Sequence, residues 1–572
     1  MKKILFTLFI LSSVIANAQA PSWAWEKGVG GNIGVSGQYK GHTFGNSVST
    51  DANGNVFTIG NFQTSAMVIG NYTLTNTNNS GVSSDVFFAK YDAMGNVLWA
   101  KSIKGDSSDK GLSIVIDAAY NIYITGSFSS PTITLDTKIL TNTSVGSDEI
   151  FIAKYNSAGN IIWAKSYGGS SNDFGNAIIT DAANNLYITG NFKSQSFTID
   201  TYTLTSDTSS NGDMFIAKFD TSGNALYAMS VGKSCAITFT GTNITSDSNN
   251  NIYVTGSCYS SKIIIGNDTI HTHGGQDIFI AKYNSLGNAL WAKDAGGPDD
   301  DEANSIATDA SGNAYITGYF SYDSIKIGNY TLINAAGSGC SSCFTTYIAK
   351  YATTGKVIWA KSLGIVNPNG AAFGPCITTD NYNVYVGGGF INVTPWVVFA
   401  SDTLNNGNPG FDAIFIAKYD SLGTAIWGKT ASSISWNQVL AITNDTYGNI
   451  YSVGFYESPT FIFGADTLVN KNTNNQTADY FIAKIGTAGV GIEKYNTTDN
   501  AIIYPNPSNG NISIASINNI DYIKVTDMLG QIVFETKSFT KIIALQINNA
   551  GFYFITTTSG KEVSTKKIIV NK

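Results

Sequence analysis

The chain has 572 residues, 43% hydrophobic and only 13% charged, with a formal net charge of −7 and no arginine among its 33 basic residues. Without the guanidinium fork that grips phosphate and guanine, and with an acidic balance, nucleic acid and anionic membranes are poor candidate partners. So long a chain calls for several domains or a repeat array rather than one ordinary core.

Residues 1–18 open with Lys2 and Lys3, continue through an apolar run from Ile4 to Ile15, and end with Ala16 and Ala18 before Gln19. This is the layout of a cleaved signal peptide, too short to anchor a membrane, and the mature chain is expected to be exported and to lack a transmembrane segment. Residues 19–488 repeat. An Ala-Lys pair recurs at Ala89, Ala153, Ala217, Ala281, Ala349, Ala417 and Ala483, at spacings of 64 to 68 residues. Each unit holds four short runs rich in Val, Ile, Thr, Tyr and Phe, such as "NAIITD", "NLYITGNF", "MFIAKF" and "ALYAMS", separated by Asn, Gly and Asp. These read as strands and turns, with an added hairpin ("FTIDTYTLTS") between the second and third strands. Seven such units predict an all-β fold, a seven-bladed β-propeller. The last unit lacks its Trp-Ala-Lys strand, whereas "WAWEKGVGG" (Trp23 to Gly31) is an orphan copy of it. The N-terminal strand is therefore expected to complete the last blade and close the ring.

Residues present in every unit are expected to be scaffold. The Asp that ends each innermost strand (Asp51, Asp117, Asp181, Asp247, Asp309, Asp380, Asp445), with an Asn shortly after it, suits a hairpin anchor. A Trp or Tyr once per unit suits packing between blades, and the Lys of the Ala-Lys pair suits a snorkelling side chain. Function is then sought where the blades differ, in the loops that enter the innermost strands. The binding candidates there are Asp109, Asp173, Asp299, Asp300, Asp301 and Glu302. His271 and His273 alternate on a strand as two weak candidate ligands of a transition metal, with no third ligand nearby. With three His in the chain and no nucleophile elbow, zinc-protease or P-loop motif, no catalytic residue and no cofactor is predicted. Cys235 with Cys258, and Cys340 with Cys343, are expected to form disulfides after export, and Cys376 to stay a free packing thiol.

The signature shared by the units, running from "GNxYxTG" through "DxFxAKYD" to "GNxxWAK", resembles the β-propeller repeats of secreted bacterial surface proteins. "YATTGKVIWAK" is also similar to the tryptophan-docking repeat of pyrroloquinoline-quinone enzymes, but the adjacent cysteine pair and clamping Arg of that family are missing. After a linker at 489–498, residues 499–572 change pattern to alternating strands that suit a small β-sandwich. Their "YPNP", "DMLGQ", "GFYFI" and "KKIIV" resemble the C-terminal sorting domain of the type IX secretion system of Bacteroidetes. That resemblance implies passage through the periplasm, recognition by the type IX machinery, and release or attachment at the cell surface. The expected function is a binding or adhesion scaffold for an extracellular glycan or protein. The alternative is a polysaccharide hydrolase or lyase using the acidic loops.

Overall fold

The computed structural model describes residues 21–571 apart from 32–40, 79–80, 207–211, 232–235, 238–242, 260–261, 322, 335–343, 364–370, 381, 392–395, 400–401, 406–411, 471–476, 487–500, 505–507, 528–529 and 560–561. Two compact units are present, residues 1–487 and 488–572. Every element among the described residues is a strand.

The first unit is a seven-bladed propeller. Blade 1 runs from the inner strand Thr43–Thr50 through Val56–Phe62 and Asp85–Tyr91 to the outer strand Val97–Gly105, each antiparallel to the next. Blades 2 to 6 repeat this order, with inner strands Asp109–Ile116, Asp173–Thr180, Asn243–Ser246, Asp301–Thr308 and Ala371–Thr379. Blade 7 contains Asn437–Asn444, Ile450–Tyr456 and Asp479–Ile485, and its outer strand is Trp23–Val29 from the other end of the chain. The N-terminal strand thus closes the ring as expected. Between the second and third strands of each blade lies a short hairpin, such as Thr132–Leu135 with Lys138–Thr141. In blades 1, 2, 5 and 7 it pairs with the end of the preceding blade's outer strand, as in Ile133 with Gly105, Gly296 with Lys326, Ser432 with Ile462 and, across the closure, Gly31 with Met67. These hairpins cover part of an edge that would otherwise offer unpaired N–H and C=O groups to another chain.

The cores lie between blades. Each buries the aromatic and β-branched faces of two neighbouring sheets, for example Phe57, Ile59, Phe88, Ile124, Phe151 and Tyr155 between blades 1 and 2. The repeated aromatic completes the contact. Trp25, Trp99, Trp163, Tyr227, Trp291 and Trp359 each lie under the turn glycine of the following blade, where an added Cβ would stand 2.9–3.2 Å from the ring. Those glycines have φ between 75° and 85°, the left-handed region that only Gly occupies freely.

The lysine of the Ala-Lys pair departs from the expected role. Its ammonium is not held out in water; it sits 4.6–5.3 Å from the centre of an aromatic ring on the adjacent strand in all seven blades. It also donates to a turn carbonyl of the next blade, as from Lys154 to Thr221, Lys218 to Ser285, Lys350 to Ser421 and, across the closure, Lys484 to Ala93. Lys218, Lys282 and Lys350 add ion pairs to Asp181, Asp247 and Asp309. The lysines are staples between blades, with Lys154, Lys218, Lys282 and Lys350 buried and Lys90, Lys418 and Lys484 half-buried, because the next blade's turn covers them and supplies an acceptor that water would otherwise give.

The second unit is β-rich. Asn511–Asp527 is a 17-residue strand that pairs with Ala501–Tyr504, Ile532–Gln546 and Gly551–Ser559, and Glu562–Val570 lies beyond the last. Register shifts between Ala515 and Tyr522 bend the long strand around a core of Ile512, Ile514, Ile523, Val525, Ile555 and Ile568.

Candidate functional site

The predicted binding carboxylates are first located within this frame. Asp109, Asp173 and Asp301 each begin an inner strand and are fully buried. Asp109 accepts from the Ser130 hydroxyl and amide, Asp173 from the Ser194 hydroxyl and the Gly169 amide, and Asp301 from the Gly297 amide. Two of them meet a second buried acid at the head of the preceding blade's third strand: Asp85 faces Asp109, and Asp277 faces Asp301. Burial, aided by repulsion within the pair, pushes Asp109 and Asp301 up to about 8, and burial pushes Asp85 and Asp277 up to about 6. The repeated Gly-Gly leaves room for these groups: a Cβ on Gly296 would lie 2.0 Å from an Asp277 oxygen. Three of the candidates therefore face protein rather than a ligand. The end of the preceding blade covers them, as Gly169 does Asp173 and Gly297 does Asp301, which local sequence does not reveal.

Asp300 accepts from the Tyr259 hydroxyl and the Gln276 amide, and Asp299 from the Asp300 amide. Glu302 lies beside Tyr319 and Asn304. His273 places Nδ1 3.7 Å from Asp277 and 3.8 Å from Asp294, while His271 is exposed. No group of three or more His, Cys, Asp or Glu poised to hold a metal occurs among the described residues. Cys258 is buried and unbridged among the described residues, and its expected partner lies outside them. Cys235, Cys340 and Cys343 lie outside the described residues. Cys376 is free and buried as expected, donating to Gly387 O at 3.4 Å.

Around the axis the inner strands form a polar ring. Ser47, Ser113 and Ser305 accept the backbone N–H of Ile114, Ile178 and Ile377 in the next blade. Thr50, Thr308 and Thr379 donate to carbonyls of Asn444, Ser246 and Thr308 in the preceding blade. These hydroxyls satisfy inner-edge groups that would otherwise stay unpaired beside an axial cavity of about 490 Å³ lined by Asn46, Asn176 and Asn304 among others.

A second cavity, of about 580 Å³, opens at the opposite end of the inner strands from the predicted loops, among the hairpins of blades 5, 6 and 7. Each hairpin is built alike. The Asp at its start accepts, on one carboxylate oxygen, the N–H of the tip residue, which is Asn53, Ala119, Ala183, Asn249, Ser311, Tyr382 and Tyr447 in blade order. The same carboxylate-to-amide bond thus holds a tip residue in all seven blades, although the blade 6 turn closes one residue earlier, from Asp380 to Asn383, than the other six. Five are small or amide residues; the neighbouring blades 6 and 7 carry Tyr. Tyr382 and Tyr447 are 78% and 65% exposed, unusual for aromatic rings, and both line the cavity. Tyr447 leans on blade 1, its ring 3.7 Å from a Cβ built on Gly54.

The cavity's carboxylates are already engaged. Asp380 accepts from the Tyr382 and Asn383 amides, the Asn383 side chain and the Tyr385 hydroxyl; Asp445 accepts from the equivalent Tyr447, Asn449 and Tyr451 groups. Burial works against the charged form of Asp380, but these bonds outweigh it and hold the carboxyl below its usual range. The nearest cations, Lys418 and Lys484, face the Tyr385 and Tyr451 rings. The sequence contained the signal, a column-by-column comparison of the seven tips, but their short, nearly constant length drew no attention.

Comparison with known proteins adds two matches along the chain. Residues 290–319 match the β-propeller repeat family, and residues 502–571 match the secretion system C-terminal sorting domain. The chain is 25% identical over 480 residues to an uncharacterized WD repeat-containing protein of Acanthamoeba polyphaga mimivirus, covering 71% of this chain and 34% of that one. It is 26% identical over 142 residues to the regulatory protein FlaEY of Caulobacter vibrioides, covering 25% of this chain and 14% of that one. It therefore spans about a third of the first relative's length and about a seventh of the second's. Among solved structures it is similar to the Neurospora crassa Pan2 WD40 domain, with TM-score 0.35, 9% identity, and 77% and 89% of the two chains covered. PorZ of the Porphyromonas gingivalis type IX secretion system gives TM-score 0.17, 10% identity, and coverage of 94% and 100%. Fold and tail together define an exported β-propeller protein. Residues 290–319 carry the β-propeller repeat, and residues 502–571 carry the type IX sorting domain, which implies export to the cell surface or beyond.

Proposed function

We propose that this protein is a binding or adhesive module, which engages an extracellular ligand through the cavity at the tips of blades 6 and 7. One observation carries the reading: at a backbone position repeated seven times, only these adjacent blades present exposed aromatic rings, and they do so on one cavity. Aromatic side chains in concave sites are common anchors of recognition. In this reading residues 1–18 act as a cleaved signal, the chain crosses the periplasm, and the tail from 499 engages the type IX machinery in a Bacteroidetes host. The carboxylates weigh against the hydrolase or lyase alternative. Asp109, Asp173 and Asp301 are buried, and Asp380 and Asp445 are saturated by turn hydrogen bonds.

The test is a binding screen of the full chain against extracellular polysaccharides and matrix proteins, with product analysis on every hit. Binding without product that is lost in Tyr382→Ala/Tyr447→Ala supports the proposal. Binding indifferent to both tyrosines, or turnover of the ligand, overturns it.

A further inference from the structure

We infer that the ligand of the blade 6–7 cavity is a neutral oligosaccharide, held by stacking of sugar rings on Tyr382 and Tyr447. This rests on the cavity being the binding site and adds the chemistry that would fill it. Both rings are exposed, and neither hydroxyl is hydrogen-bonded to a described residue. Each tyrosine therefore offers an apolar face with a polar tip, the combination that suits the C–H face and hydroxyls of a pyranose. Neighbouring blades carry the rings two residues after the turn Asp, on turns that differ in length by one residue, and both rings line one cavity, so they are placed to contact successive units of a chain rather than one small molecule.

The surrounding groups select against charge. An anionic ligand needs a free cation, but Lys418 and Lys484 sit over Tyr385 and Tyr451, and Lys484 also donates to Ala93 O. A cationic ligand or metal ion needs free carboxylate oxygens, but those of Asp380 and Asp445 already accept the turn amides, Asn side chains and tyrosine hydroxyls. What the wall retains is uncharged. Asn444 uses its Oδ1 for the Thr378 hydroxyl and its backbone oxygen for Thr50, leaving its amide nitrogen without a partner. Thr308 and Thr379 already donate their hydroxyl protons around the axis, which leaves their oxygens as acceptors. Aromatic faces with amide and hydroxyl groups, and no uncommitted charge, match a neutral glycan.

The test is calorimetric titration of the full chain with neutral hexasaccharides (β-1,4- and β-1,3-glucan, α-1,4-glucan, xylan and mannan) and with hexagalacturonate as the charged control. At least one neutral hexamer is expected to bind with little dependence on salt, since no ion pair is formed. Tyr382→Ala and Tyr447→Ala should each weaken it about tenfold, as expected for loss of one stacked ring, while the melting temperature stays unchanged because both side chains are exposed. Tyr382→Phe keeps the stacking face and should lose less than Tyr382→Ala. No binding by any neutral hexamer, preference for hexagalacturonate, or unchanged affinity in the double alanine variant overturns the inference. A purified matrix protein that binds the wild type and not the double variant would overturn the saccharide assignment while leaving the cavity as the binding site.

Discussion

Trp25 Nε1 donates to the carbonyl oxygen of Ala93 at 3.2 Å, joining the N-terminal strand of blade 7 to the turn of blade 1. Trp163, Trp291 and Trp359 make the same bond to Thr221, Thr353 and Ser421 within the continuous part of the ring. The closure is thus built with the same parts as the junctions that follow blades 2, 4 and 5. Deleting Ser22 to Gly31 should expose the edge of Asp479–Ile485 and cause aggregation or a large drop in melting temperature. Trp25→Ala should cost about 3 kcal/mol, and Trp25→Phe, which chiefly removes the hydrogen bond, about 1 kcal/mol. Denaturant melts and size-exclusion chromatography decide it; a deletion variant that melts like the full protein would show that the ring does not depend on this strand.

Lys282 is 5% exposed, 3.3 Å from Asp247, and 4.6 Å from the centre of the Tyr253 ring. Lys282→Met should destabilise the propeller by about 3–5 kcal/mol, because it strands a buried carboxylate. Combining it with Asp247→Asn should recover part of that loss. Equal melting curves for Lys282→Met and wild type would return the lysine to the surface role suggested by composition alone.

The buried acids make stability fall with pH. Asp109 and Asp301 keep their protons to about 8 and Asp412 to about 7 in the folded chain, chiefly because burial disfavours the charged form, against an ordinary value of 3.8. A folded state that binds more protons than the unfolded chain is most favoured below the unfolded value and loses that advantage as pH rises toward the folded one. His42 works in the opposite sense below its ordinary value of 6.5, since burial lowers it and its Nδ1 accepts from Ala478 only while unprotonated. From about pH 6.5 to about pH 9, urea denaturation should therefore show declining stability, and Asp301→Asn should reduce the slope. A slope unchanged by Asp301→Asn would mean that this carboxyl titrates normally.

Burial pushes the Cys376 thiol up to about 12, and Cys258 is also buried. Neither should react with a maleimide in the native protein, and both should react after unfolding without reductant. If Cys258 labels only after reduction, it is bridged, and the partner suggested by the sequence, Cys235, becomes the first to examine by peptide mapping.

Repetition made most of the scaffold readable in advance. The Ala-Lys column counted the blades, and the orphan "WAWEKGVGG" located the closure, because a symmetric fold writes each contact many times. The burial of Asp109 and Asp301 is not legible for a physical reason: they start inner strands beside polar, Gly-rich stretches that look solvated, and only the packing of the adjoining blade buries them. Tyr382 and Tyr447 carry no signal in loop length, since the difference lies in one side chain on a nearly invariant hairpin.

The two ends of blade 7 are the first and last propeller strands to be synthesised. Trp23–Val29 emerges from the ribosome with no partner and stays unpaired until Asp479–Ile485 has followed. The six blades between must hold together as an open arc, stapled by lysines and aromatics from each blade to the next, before the gap can shut. A chain stopped short of its final blade cannot form the ring at all, so closure reports that the whole propeller has been made.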